Sequence, residues 1–407
     1  MALVSPLEGI RILDWTIWQQ GPVATAMLGD LGAEVIKIEE RVAGDPGRGM
    51  KRVRGLGAEL PGGRNFYYEN NNRNKRGIAL DLRKTQGKEI IYRLTEKADV
   101  FVQNFRPGVA ARLGLDYVKL KQYNSRLIYA TASGYGLKGP DSGEPTFDYL
   151  GLARSGIMNA VGEPDTPPQG MVGGLADQMG AIFLAYGILA ALLTRERLGI
   201  SQEIDVSHFG GMIAFQSLNV VAACLVGQDL PRQERANSFN PMWNHYKCKD
   251  GKWLALAHLQ PDRHWPMLCE AMGISHLEKD QRFADAVSRE KNAREIVAIL
   301  DNIFATRTCA EWMEYLKSQG DFILSPVNRV AELVSDPMAI ANGYIKEFDH
   351  PTLGKVKLPG IPVNFTQTPG SIRLPAPDFG QHTEEVLMEL GGYSWDDIEK
   401  LKQEAVI

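Results

Sequence analysis

Residues 10–38 constrain this chain more than any other stretch. They read as a strand at 10–15, a helix start at Gly21-Pro22, a helix over 23–31 closed by Gly32, and a second strand at 34–38. Strands joined by a single crossover helix lie parallel, and the crossover turns right-handed. The alternation recurs, with strands at 78–80, 100–103 and 127–131, a helix over 85–96, a long apolar helix over 178–197 and a strand at 202–206. The expected fold is therefore α/β, with a doubly wound parallel sheet in a large domain over 1–230.

Beyond residue 207 a second apolar helix, 211–226, runs into the polar stretch 229–238, which reads as a connection between domains. Short strands at 245–248 and 253–257 and helices over 263–271, 293–304 and 309–319 predict a smaller α+β domain at 231–335. The remainder, 336–407, carries Pro351, Pro359, Pro362, Pro369, Pro375 and Pro377 ahead of helices over 383–390 and 394–403. It is expected to be a return linker and a C-terminal arm that packs on the large domain.

Composition narrows the function classes. Across 407 residues, 45 basic and 49 acidic side chains leave a net charge of −4, so neither nucleic acid nor an anionic membrane is an expected partner. The longest apolar run, 181–193, falls short of the roughly 18 residues that span a bilayer. The start, Met1 to Pro6, lacks the basic and apolar regions of a secretory signal, which makes the cytoplasm the expected location. Cys224, Cys248, Cys269 and Cys309 form no CxxC pair, and the seven histidines include no HExxH. No metal site is expected.

Several local patterns carry chemistry. Gly134-Tyr135-Gly136-Leu137-Lys138-Gly139 is a literal GxGxxG after a strand, but Pro140-Asp141-Ser142-Gly143 follows where a dinucleotide site needs a helix N-terminus. Turn chemistry is the better reading. Asp177 ends the segment Gly173-Gly174-Leu175-Ala176-Asp177, immediately before the most apolar helix, where its carboxylate serves either as a helix N-cap or as a reactive group, two compatible roles. Asn104-Phe105-Arg106-Pro107-Gly108 follows a strand end, the usual ligand edge of an open α/β sheet. Phe147-Asp148-Tyr149 reads as a helix cap, and His208 as a packing residue after a strand.

Taken together, Pro6-Leu7-Glu8-Gly9 leading into Leu13-Asp14, Gly21-Pro22, Leu31-Gly32-Ala33-Glu34-Val35-Ile36-Lys37-Ile38-Glu39, Gly44-Asp45, Asn74-Lys75-Arg76, Leu80-Asp81-Leu82, the segment Asn104 to Gly108, and Ser133-Gly134-Tyr135-Gly136 resemble the family III CoA-transferases. This group includes formyl-CoA and carnitine CoA-transferases. The resemblance covers nearly the whole chain. It implies that Asp177 is a nucleophile that passes coenzyme A from an acyl-CoA to a free carboxylic acid through a mixed anhydride and an aspartyl thioester, with no tightly bound cofactor. It also implies contacts to coenzyme A from Gln19, Arg41, Leu80, Leu82, Arg83, Asn104, Phe105 and Arg112.

Two positions depart from the family pattern. Glu40 stands where formyl-CoA transferases carry an arginine, leaving Arg41 as the nearest cation, and Pro145 replaces a lysine. By the same resemblance the chain forms an interlocked homodimer of ring-like subunits, or a heteromer with a related chain. Phe239 and Trp243, both in the segment Ser238 to Asn244 that corresponds to the loop covering the site in formyl-CoA transferases, point to an aryl or other large apolar acid, as in benzylsuccinate-type enzymes. The rival is a 2-methylacyl-CoA racemase of similar fold. That group places its proton-shuttling histidine where this chain has Phe147, which cannot accept a proton.

Overall fold

The computed structural model describes residues 4–407; Met1 to Leu3, part of the start read above, lie outside the described residues. Six strands form one sheet: β1 (Arg11–Trp15), β2 (Glu34–Glu40), β3 (Lys75–Leu80), β4 (Val100–Gln103), β5 (Ile128–Ser133) and β6 (Glu203–Ser207). Every pairing in it is parallel. The spatial order is β6-β5-β4-β1-β2-β3. The chain thus winds outward from β1 to β3, returns to the middle at β4 and winds outward the other way. Where β1 meets β4 the loops at the carboxyl ends diverge, and a crevice opens between them.

Helices cover both faces, so the central strands carry apolar side chains on each. The elements that matter here are α1 (Gln20–Asp30), α2 (Phe66–Asn72), α3 (Thr85–Thr95), α4 (Asp148–Arg154), α5 (Leu175–Leu198), α6 (His208–Phe215) and α7 (Ser217–Val226). Neighbouring residues of one strand serve opposite faces. Leu13, Ile36 and Phe101 pack with Ile90, Ile91 and Leu94 of α3 and with Val386, Leu387, Ile398 and Leu401 near the C-terminus. Ile12, Val35 and Val100 pack with Val23, Ala24 and Leu28 of α1 and Ala181, Leu184 and Ile188 of α5. By length and composition α5 is apolar enough to cross a membrane; here one of its faces belongs to this core.

Charge is buried at this sheet as well. Lys75 Nζ on β3 donates to Asp14 Oδ2 of β1 at 2.8 Å, to Pro22 O at 2.8 Å and to Asn72 Oδ1 at 3.0 Å. Lys37 Nζ on β2 donates to Asp45 Oδ2 at 2.7 Å and to Thr16 O. All four charged side chains are fully buried. Burial opposes ionisation of Asp14, but Lys75 and Lys37 outweigh it and hold the carboxyl below its ordinary value.

The chain forms two compact units, the first comprising 1–158, 170–227 and 338–407, the second 159–169 and 228–337. In the second, Trp243–Lys247, Trp253–Ala257 and Leu324–Val327 make an antiparallel sheet, with the middle strand paired on both sides. Helices Pro261–Ala271, Ala293–Phe304 and Cys309–Gln319 pack on a core containing Tyr246, Trp265, Phe304 and Trp312. His258 is buried there beside His264, with ring centroids 4.5 Å apart. Desolvation and that second imidazole push its pKa down to about 4.

Burial of these ionisable groups has two measurable consequences. Lys75→Met strands the Asp14 carboxylate, and urea unfolding should register a loss of about 3–5 kcal/mol, of which Asp14→Asn in the same chain should restore a substantial part. For His258, the unfolded imidazole binds a proton below about 6.5 and the folded one only below about 4, so between these values the unfolded chain holds more protons. Stability should therefore fall as the pH drops from 6.5 toward 4. Thermal scans of His258→Phe should show a shallower acid slope than the parent.

Candidate active site

The crevice between β1 and β4 is closed by Asn104, the first residue after β4. Its Oδ1 accepts the Ile17 N–H at 2.9 Å and its Nδ2 donates to Ile17 O at 2.7 Å, tying the loop after β4 to the loop after β1. Phe105 packs on Trp15 with ring centroids 4.2 Å apart. Trp18 holds a left-handed backbone at φ 67°. Asp45 Oδ1 accepts its N–H at 3.1 Å and Asn71 Nδ2 donates to its carbonyl at 3.2 Å, which steadies that conformation. The indole meets Phe147 edge-on at 5.9 Å. Together they border a cavity of about 390 Å³ into which Arg106, Ser133, Asp177 and His208 also face.

Three helices begin beside this cavity. Asp148 opens α4, Asp177 is the third residue of α5, and His208 opens α6. Each is followed three residues later by a glycine: Gly151, Gly180 and Gly211. A methyl group at Gly151 would stand 3.0 Å from the Cβ atoms of both Ala176 and His208, and one at Gly211 would stand 3.3 Å from the backbone nitrogen of Gly180. The helices approach this closely because those side chains are missing, and the approach brings the preceding turns together. His208 Nε2 lies 2.8 Å from Asp177 Oδ1. Asp148 Oδ1 accepts the N–H of Ala176 at 2.7 Å and of Asp177 at 3.3 Å.

This geometry corrects the capping role read for Asp177. The cap position of α5 is Gly174, left-handed at φ 73° and without a side chain, so the acceptor for the first amides comes from Asp148 on another helix. Asp177 is free of that duty. Its Oδ1 meets His208, and Oδ2 has no hydrogen-bond partner among the described residues. The proximity of the carboxylates has a cost, since burial and then Asp177 raise the Asp148 pKa against the pull of the two amides. Tyr67 is raised too, by burial and by Asp177.

Of the residues that the resemblance marks, Asn104, Phe105 and Asp177 line one cavity; Gln19, Arg41, Leu80, Leu82, Arg83 and Arg112 do not line it. Gln19 donates to Gly173 O at 3.3 Å and borders a neighbouring cavity of about 510 Å³ with Tyr67 and Gln178. Leu80 and Leu82 belong to the sheet core. Arg41 Nε donates to Ile407 O at 2.8 Å, and the exposed Arg83 pairs with Asp81 at 2.9 Å. Arg112 lies exposed on the short helix Val109–Leu113. Glu40 accepts the N–H groups of Val42 and Ala43 and so serves its own turn. The GxGxxG at 134–139 runs into a turn, as Pro140 implied.

Along the chain, His208 reads only as a packing residue and Asp148 only as a local cap. The signal that ties them to Asp177 is the shared spacing to a glycine, which becomes meaningful once the three helices are known to cross.

The sequence profile of the family described as CoA-transferase family III matches residues 7–383. The succinyl-CoA:glutarate CoA-transferase of Mus musculus is 33% identical over 405 residues, covering 99% of this chain and 91% of that protein. The (R)-2-hydroxy-4-methylpentanoate CoA-transferase of Clostridioides difficile is 32% identical over 406 residues, covering 98% of this chain and 99% of that protein. A solved structure of a CAIB/BAIF family protein from Brucella suis matches with a TM-score of 0.83 at 28% identity, over 95% of this chain and 100% of that one.

Because Asp148 caps α5, Asp148→Ala should lower stability by about 1–2 kcal/mol. Asp177→Asn keeps an acceptor for His208 and should cost less in the same urea titration.

Proposed function

This chain belongs to CoA-transferase family III and is an enzyme of the CoA-transferase type, and we propose that Asp177 is its nucleophile, moving coenzyme A from an acyl-CoA to a free carboxylic acid. The observation that carries this reading is the carboxylate at the cavity edge with one oxygen held by His208 and the other without a hydrogen-bond partner among the described residues. A carboxylate solves a definite chemical problem here. Thiolate does not add usefully to a free carboxylate, whereas an enzyme carboxylate can attack the donor thioester, form a mixed anhydride and then take coenzyme A itself as a thioester. The acceptor acid reverses the exchange, and the thioester energy is conserved.

Trp18, Phe105 and Phe147 around the cavity support an apolar wall beside the reacting group, in keeping with a sizeable apolar or aryl acid. Asn104 and Phe105 are proposed coenzyme A contacts there. Gln19, Arg41, Leu80, Leu82, Arg83 and Arg112 are proposed to serve the rest of the coenzyme. Assembly is proposed as an interlocked homodimer, or a heteromer with a related chain, acting in the cytoplasm. The exposed Leu218, Val221, Leu225 and Val226 of α7 support burial by another subunit.

His208 also bears on the racemase rival. Two-base epimerisation needs acid and base on opposite faces of one carbon, and side chains 2.8 Å apart leave no room for a carbon between them. The pair favours transfer.

A panel of carboxylic acids with succinyl-CoA and acetyl-CoA as donors, read by mass for new thioesters, tests the activity. Asp177→Ala should lose about three orders of magnitude or more in turnover. Hydroxylamine or borohydride should trap an adduct on Asp177 in the parent. Near-parental turnover of Asp177→Ala, or labelling at another residue, would remove the mechanism.

A further inference from the structure

His208 has an unusual set of neighbours for a packing histidine. Its side chain is only 8% exposed, Nδ1 is buried with no partner among the described residues, and its single side-chain hydrogen bond goes to Asp177 Oδ1 at 2.8 Å. A carboxylate oxygen can only accept, so Nε2–H donates. The backbone that carries the ring is held in place. The helix start that carries it is capped by Ser207 Oγ, which accepts Gly210 N–H at 2.9 Å, and Gly151 and Gly211 allow α4 and α5 to press against it.

We propose that His208 decides which carbonyl of the mixed anhydride coenzyme A attacks, a reading that rests on Asp177 as nucleophile. Oδ2 of Asp177 adds to the donor thioester carbonyl and the C–S bond breaks, releasing coenzyme A as thiolate. The anhydride then has two electrophilic carbons. Return of the thiolate to the acyl carbon regenerates the donor and achieves nothing. Attack at Cγ of Asp177 forms a Cγ–S bond, breaks the Cγ–Oδ2 bond and releases the donor acid as its carboxylate with Oδ2 aboard; one thiolate enters, one carboxylate leaves, and no proton is gained or lost. In the productive attack negative charge develops on Oδ1, the atom that Nε2–H already touches. In the unproductive attack the charge develops on the acyl oxygen, a different atom from the Oδ1 on which the His208 hydrogen bond is spent. A fixed donor at Oδ1 therefore lowers one barrier and leaves the other unchanged.

The test compares the parent with His208→Leu, which removes the donor, and His208→Gln, which keeps an N–H. Each is mixed with whichever of succinyl-CoA and acetyl-CoA the parent turns over, quenched within a turnover, and the adducts on Asp177 are weighed by intact-protein mass spectrometry. Because only covalently labelled protein is counted, the ratio of coenzyme A adduct to acyl adduct is independent of how much variant is folded. The expected result is a shift toward the acyl adduct in His208→Leu, a fall of about 100-fold in exchange of labelled donor acid into acyl-CoA, little change in KM for the donor, and recovery of most of both effects in His208→Gln. A parental adduct ratio in His208→Leu, or a Gln variant as defective as the Leu variant, would overturn the proposal while leaving Asp177 as nucleophile. Absence of any adduct on Asp177 in the parent would overturn the nucleophile reading and this proposal with it.

Discussion

Two ion pairs buried at a parallel sheet, Lys75 with Asp14 and Lys37 with Asp45, are the constraint on which the rest of this structure leans. Ions so deeply buried are tolerated only when their hydrogen bonds are satisfied. Lys75 meets this demand in full, its three N–H groups directed at Asp14, Pro22 O and Asn72. Asp14 in turn accepts from Thr16 and Thr25. The value of the network is positional. It locks three adjacent strands in register and, through Asp45 and Lys37, fixes Thr16 to Trp18 in the loop that forms one wall of the crevice.

On that rigid base the site is assembled from helix starts. A helix N-terminus offers unpaired amides and the positive end of a dipole, and here three of them meet. One carboxylate, Asp148, takes up amides of its neighbour; the other, Asp177, stays available at the cavity edge with a histidine on one oxygen. Glycines one turn further on make the crossing close enough. The same absence of side chains that permits the packing thus brings His208 onto Asp177.

Much of the large unit was legible in the chain because its signals are local. Strands buried on both faces read as short apolar runs, and a parallel sheet demands crossover helices of the kind the spacing shows. Asp177 stood out through its neighbours Gly173 and Gly174 and through the family pattern. Hydrophobic periodicity places the start of its helix at 178, three residues after Leu175, because the polar Asp177 interrupts the apolar pattern of the first turn. Position alone then suggests a capping role, but the cap comes from Asp148, 28 residues from Ala176 in sequence.

By itself the sequence determined the order of strands and helices, the family of the chain and the carboxylate at the head of its most apolar helix, since each depends on neighbours along the chain or on a pattern of residue types. Only the tertiary structure decided that β4 lies beside β1 to open the crevice, that Asp148 satisfies another helix, and that His208 rests on Asp177 across 31 positions. Those are outcomes of which helices cross and how closely. Backbone approach is governed by side chains that are absent, and an absent side chain leaves no mark in hydropathy or charge.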